Sequence, residues 1–290
     1  MSLTDDVRAA CREIADNARL VTIDVERLEA LDPGPPPELD PARHHLDGPP
    51  EDVADYLLVL DTVNFGSGWF PTLRKRPGMS GYFTVASSLT DLWRAGGGWS
   101  TSELRALRAE DVALVLGQEP DHELMGLYAE ALRDLGRFLD GRSALDLVAE
   151  ARGSAERLAS SLALGMPFFD DVGFWKRAQI APNDLALAGV AEFHDLDRLT
   201  IFADNLVPHV LRVDGVLRYD PALAARIEAG ELLPPGDEER EIRGCAVHAC
   251  ELLSERLGVP ARSIDTALWT RGQAPEYKAI PRHRARTVYY

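Results

Sequence analysis

The chain has 290 residues, 46% hydrophobic and 27% charged, with a formal net charge of −16. That length allows one large core or two modest ones, and that charge excludes a long polyanion over most of the surface. The longest apolar runs, such as Tyr56–Leu60, fall far short of the ~20 residues of a membrane span, and the N-terminus has acids where a secretion signal needs a basic start.

Taken in chain order, residues 1–20 read as an amphipathic helix. VTIDVERLEAL reads as a short extended piece and then a helical turn. Residues 32–50, DPGPPPELDPARHHLDGPP, are crowded with proline and must form a surface loop, since proline removes backbone donors and fixes φ. EDVADYLLVLDTVNF puts Val53, Tyr56, Leu57 and Leu60 on one helical face. GSGWFPTLRKRPGMSG is irregular. GYFTVASSLTDLWRAG returns to helix and stops at Gly96–Gly98; Ser100 followed by Glu103 fits a capping box. Helix then follows helix to about residue 163. PDHELMGLYAEALRDLGRFLDG is the clearest, with Leu124, Leu127, Leu132, Leu135 and Leu139 near one face. LGMPFFDDVGF breaks the pattern, WKRAQIAPNDLALAGVAEF resumes it, and the last strong amphipathic helices are EEREIRGCAVHACELLSERLG and PARSIDTALWTRG. Few runs alternate with period two. The expectation is an all-α fold with at most a small sheet. A single domain over 1–290 is expected, because the proline segment lies too near the N-terminus to divide two.

Four stretches can carry chemistry. In TIFADNLVPHVL, Asp204 stands alone among apolar and amide neighbours. It reads as a helix cap, a core acid held by an arginine, or a carboxylate in a low-polarity pocket that stabilises a cation in a transition state. FFDDVGFWKRAQI combines Asp170 and Asp171 with aromatics and with Lys176 at a helix start. It reads either as an anchored loop or as a binding loop. DTVNFGSGWFP ends a helix on Asp61, where the dipole disfavours an acid. Its Asn64, Phe65, Trp69 and Phe70 form either a hydrophobic plug or a slot for a planar ring. PPGDEEREIRGCAVHAC starts a helix with acids, and an inward Arg243 can pair with a buried acid. Cys11, Cys245 and Cys250 form no CxxC pair, the histidines do not cluster, and no phosphate loop or GxSxG is present, which argues against metal and nucleoside-triphosphate chemistry.

The order DTVNFGSGWF, GYFTVASSL, FWKRAQIAPNDLALAG, LTIFADNLVPHVLR, GDEEREIRGCAVHACELL and terminal HRARTVYY resembles the queuosine salvage family from about residue 20 onward. The resemblance implies hydrolysis of the N-glycosidic bond of queuosine 5'-phosphate to queuine and ribose 5-phosphate. It also implies an all-α fold similar to helix–hairpin–helix DNA glycosylases and no metal or organic cofactor. By motif, Asp204 matches the catalytic carboxylate, Lys176 a functional lysine and Asp184 a further functional acid. The binding set implied is Asn64 with Phe65, Trp69 and Phe70 around the base, and Asp170, Asp171 or Asp184 at its N–H edge or cationic amine. Lys176, Arg284 or Arg286 would meet the phosphate, or Lys176 would instead set the charge state of Asp204, and His209 and Tyr290 complete the pocket. The chain departs from some members at Asn205-Leu206 and at His209. A small-molecule nucleotide is the expected partner, with no intact nucleic acid, membrane or obligate protein partner, in the cytoplasm. The rivals are a nucleotide N-glycosidase for another base and a non-catalytic module that binds a modified base.

Overall fold

A computed structural model describes residues 2–290. The helical periods resolve into α1 (Leu3–Asn17), α2 (Val25–Ala30), α3 (Pro50–Thr62), α4 (Gly81–Gly96), α5 (Thr101–Ala106), α6 (Ala109–Leu116), α7 (Glu123–Leu139), α8 (Ala144–Ala151), α9 (Ala155–Gly165), α10 (Lys176–Leu187), α11 (Val207–Val213), α12 (Pro221–Glu228), α13 (Asp237–Leu257), α14 (Ala261–Arg271) and α15 (Pro275–Lys278). The sheet is small: β1 (Val21–Ile23) pairs antiparallel with β2 (Leu217–Tyr219), Thr22 opposite Arg218. None of the described helices is long and apolar enough to cross a membrane.

Local chemistry sets the boundaries. Ser100 and Glu103 form the expected capping box at α5, and Ser143 with Asp146 forms another at α8; each such cap is worth about 1 kcal/mol. Gly258, left-handed at φ 65°, closes α13 by donating to Ser254. The leucine stripe of α7 faces inward, with Leu124, Leu132 and Leu135 buried.

Two large hydrophobic clusters form among the described residues, with a small third of Ala155, Ile180, Leu199 and Phe202. One gathers α3, α4, α7, α8 and α9; the other gathers α1, α11, α13, α14 and the sheet. Helix α10 lies at their junction. Ala178, Ala181 and Leu185 belong to the first cluster, and Trp175, just before the helix, packs on both. Its remaining faces bury Lys176, Arg177, Gln179 and Asn183. Buried polar groups need partners. Arg177, 1% exposed, donates to the carbonyls of Thr62, Phe168 and Val288. Its guanidinium also lies over Phe65 and Phe169, at 4.7 and 4.9 Å. It therefore ties the carbonyl end of α3, where the dipole favours a cation, to the C-terminal segment.

Candidate functional site

The segment carrying Asp204 is held from every side. The Phe202 N–H donates to Asp265 of α14 at 2.8 Å, and Arg243 of α13 donates from Nε to the Ala203 carbonyl at 2.9 Å. The Asn205 amide donates to His283 at 2.9 Å. Asp204 Oδ1 accepts the N–H groups of Leu206 and Val207, at 2.7 and 3.0 Å, at the start of α11. Asp204 is thus both a cap and a cavity wall, half-buried, with no protein hydrogen bond to Oδ2 among the described residues. Arg243 is the inward arginine read from the sequence, and it pairs with Asp171 and Glu239. Its aim at Ala203 makes this buried ion network the brace behind Asp204.

Opposite, Lys176 opens α10. Its Nζ donates to the carbonyl and the side-chain oxygen of Asn64, at 2.8 and 3.2 Å. Burial pushes its ammonium down to about 8, against the pull of the carboxylates Asp204, Asp61 and Asp265.

Asp204 and Lys176 line two adjoining cavities of about 390 and 370 Å³, the size that small ligands fill. The walls differ in charge. Lys75, Lys278, Arg282 and Arg284 line the first, where Asp204 is the sole acidic side chain among the described residues. Glu38, Asp40, Asp184 and Asp265 line the second, with Arg43 and Lys176. Burial pushes Asp184 up to about 6. Asp265 is pushed well up by burial and by the charge of Asp204, which favours its protonated form. Asp61 lies behind this wall, wholly buried, with neither oxygen hydrogen-bonded. Burial and the charge of Asp184 push it well up too.

Of the residues expected from sequence, Asn64, Lys176 and Asp204 line both cavities, Phe65, Phe70, Arg284 and Tyr290 the first, and Asp184 the second. Trp69, Asp170, Asp171, Arg286 and His209 line neither, and Phe65 meets the first cavity from the core. Trp69 is buried and donates its indole N–H to Glu123 at 2.7 Å, so it plugs the first cluster rather than facing a ring. Phe65 is 1% exposed and stacks edge-on against Tyr128. Asp170 is exposed outside both cavities, Asp171 is committed to Arg243, and Arg286 pairs with Glu123 at 3.2 Å. His209 is buried with Nε2 2.8 Å from the Tyr277 carbonyl.

An aromatic wall stands instead in the second cavity, where Tyr82, Phe83 and Trp269 pack edge-on against one another with ring centroids 5.3–5.7 Å apart, beside Phe202. The proline segment supplies another wall, Pro37–Asp40, and His44 reaches Tyr82 at 3.2 Å. Sequence reasoning missed these. Asp265 carried a usable signal, an acid between Ile264 and Ala267-Leu268 on the apolar face of its helix, as Asp204 did. Lys75, Lys278 and Arg282 carried none, because nothing in an irregular segment, or at the end of a four-residue helix, tells where a long side chain points. Among the described residues, no group of three His, Cys, Asp or Glu is placed to hold a metal ion.

Fold and site define a helical protein with a two-ended, ligand-sized cleft and a braced carboxylate at its waist. The family model described as queuosine salvage protein matches residues 44–290, and the chain belongs to that family. A Sphaerobacter thermophilus protein is 34% identical over 98% of this chain and 97% of its own. Proteins of Bos taurus and Mus musculus are 30% and 26% identical, each over 98% of both chains. All three are named queuosine 5'-phosphate N-glycosylase/hydrolase.

Proposed function

We propose that this protein hydrolyses queuosine 5'-phosphate at its N-glycosidic bond, releasing queuine and ribose 5-phosphate for salvage of the base. The observation that carries the reading is the place of Asp204, at the junction of a cationic cavity and an acidic one. A nucleotide with a phosphate at one end and a base bearing a cationic amine at the other matches both walls. Its glycosidic bond then falls at the waist. The phosphate meets the arginines and lysines. The base lies against the wall of Tyr82, Phe83 and Trp269, with Asp184 facing its amine and Asp265 its polar edge.

As the bond from the sugar to nitrogen breaks, its electron pair goes to the base and positive charge grows on the sugar. The Asp204 carboxylate stabilises that charge, and its brace means that no reorganisation is needed when the charge appears. Water adds its oxygen to the sugar, and its proton balances the departing base. A 7-deazaguanine lacks the N7 that an enzyme protonates on a purine, so the sugar side carries more of the barrier. Lys176 sits in the wall shared by both cavities and helps set the field around Asp204. Both large hydrophobic clusters contribute site residues, which supports one functional domain over the whole chain. The three cysteines, free and buried, fit a reducing cytoplasm, and the acidic surface suits a mononucleotide better than intact tRNA.

Incubation with queuosine 5'-phosphate, without added metal and with detection of queuine by mass, tests the reading. Queuine release that vanishes in Asp204→Asn is the expected result. One observation favours a binding module without turnover: the two N–H groups that Asp204 caps. In that case wild type releases no queuine, binds it tightly, and Asp204→Ala costs about 1 kcal/mol of stability.

A further inference from the structure

We propose that Arg43 is a built-in competitor at the acidic end of the cleft: its guanidinium lies on the face of Phe83 that a planar base with an ammonium arm needs, and such a base displaces it. The inference rests on the reading of this cavity as the place of the base, and adds a step to that reading.

The Phe83 ring is hemmed in. Tyr82, Trp269 and His44 meet it edge-on, with centroids 5.3, 5.7 and 6.5 Å away. The Arg43 guanidinium carbon lies over its face, 4.1 Å from the centroid. Arg43 and Phe83 both line the acidic cavity, so a base laid against the aromatic wall and the guanidinium claim the same surface. A cation is drawn to the negative face of an aromatic ring, and Asp40 adds a carboxylate oxygen 3.3 Å from Nε. Arg43 thus presents what the arm of the base brings, a cation between an aromatic face and acids. Lys176, the other lysine or arginine lining this cavity among the described residues, is committed to Asn64.

The backbone that carries Arg43 is fixed. The Thr90 hydroxyl donates to the Arg43 carbonyl at 3.0 Å, and Arg94 donates to the Pro41 carbonyl at 2.9 Å. The Ala42 N–H donates to Asp40 Oδ1 at 2.9 Å. These bonds pin the end of the proline segment to α4. The side chain is held far less firmly. It is 40% exposed, and its partner Asp40, three positions back on the same turn, is 48% exposed. Swinging it into water gives up one cation–aromatic contact and one exposed ion pair, both weak at such exposure, and returns rotamer freedom. Displacement therefore costs a factor of a few in affinity.

Charge sharpens the competition. Lys278 is pushed down by burial, then by Arg282 and by Arg43, so the Arg43 charge is felt across the rim of the cleft. A base with its own cation meets that charge; a neutral base does not. In the reaction cycle, the nucleotide is held through its phosphate as well and tolerates the competitor. The freed base has lost that anchor, and the return of Arg43 to Phe83 favours its departure.

The test measures the affinity of the full chain for queuine and for 7-deazaguanine, which keeps the ring and lacks the arm, by calorimetry. Arg43→Ala should bind queuine about fivefold more tightly and 7-deazaguanine about twofold. Arg43→Gln, which keeps the length of the side chain, should show the same order and guards against a local packing effect of alanine. Queuine should also become a stronger inhibitor of the nucleotide reaction in both variants. Weaker queuine binding in the variants overturns the proposal, because Arg43 would then hold the base. Unchanged affinities overturn it, and so does the absence of binding of either base by wild type and variants alike. Tighter queuine binding in the variants, with no hydrolysis of the nucleotide by wild type, leaves the competitor standing and removes the proposed reaction. Hydrolysis by wild type with unchanged affinities does the reverse.

Discussion

The two ends of the cleft share Asn64, Tyr82, Lys176, Asp204, Trp269 and Gln273 but are built differently. At the cationic end the charges stand on long side chains of irregular segments, Lys75 before α4 and Arg282 and Arg284 after α15. At the acidic end Asp184 and Asp265 stand on short side chains inside α10 and α14, and burial shifts both. Long cations, Arg282 and Arg284 among them partly buried, supply attraction to any dianion. Short desolvated acids supply discrimination, because a wrong ligand leaves them unpaired. On the proposed reading, affinity comes from one end, choice of base from the other, and chemistry from the waist between them.

The largest effect should fall at the waist. Asp204→Asn keeps the side-chain oxygen that accepts from Leu206 and Val207, so the fold should hold. It removes the charge, and turnover should fall about a thousandfold or more, as for loss of a preorganised stabilising group. Near wild-type turnover in this variant would break the division into ends and waist. The next effect belongs to the acidic end. Asp184→Asn should lower kcat/KM by roughly a hundredfold for a base carrying the ammonium, the scale of a lost desolvated ion pair, and much less for a base without it. Equal losses on both bases would assign Asp184 to structure.

How legible this was depends on periodicity. The helices and their caps follow from local spacing, and Asp204 stood out because an acid in an apolar run is rare. The same rule finds Asp265. The aromatic slot was placed at Phe65, Trp69 and Phe70 beside Asn64; Phe70 does line the first cavity, but Gly66 and Gly68 turn the rest of that loop inward onto Leu124 and Ala285. Tyr82, Phe83 and Trp269 read as core residues of two helices, and their meeting is tertiary. Asp171 looked free and is buried against Arg243 across 72 positions of sequence. Charges paired at that range leave no mark in a single sequence.

The acidic end and the waist should also separate by pH. Asp184, pushed up to about 6, is a carboxylate above that value and neutral below it. Lys176, pushed down to about 8, is an ammonium below that value and neutral above it. If both charges serve the reaction, kcat/KM for the nucleotide is bell-shaped, falling below about 6 and above about 8. Asp184→Asn should flatten the acid limb and leave the alkaline one. An acid limb that survives in the variant would belong to another group, with Asp61 and Asp265 the nearest candidates.

The smallest expected effect tests whether burial, rather than charge alone, gives the acidic end its discrimination. Glu38 lines the same cavity as Asp184 but stands on the exposed proline segment, with no ion pair among the described residues. In water its attraction for an ammonium is screened, so Glu38→Gln should raise KM only about twofold. That change should shrink further in added salt, whereas the Asp184→Asn effect should persist. A Glu38→Gln loss as large as that of Asp184→Asn would mean that the proline segment closes over the bound base and desolvates its rim. The acidic end would then owe its selectivity to a wall that lies before residue 44, where the family match begins.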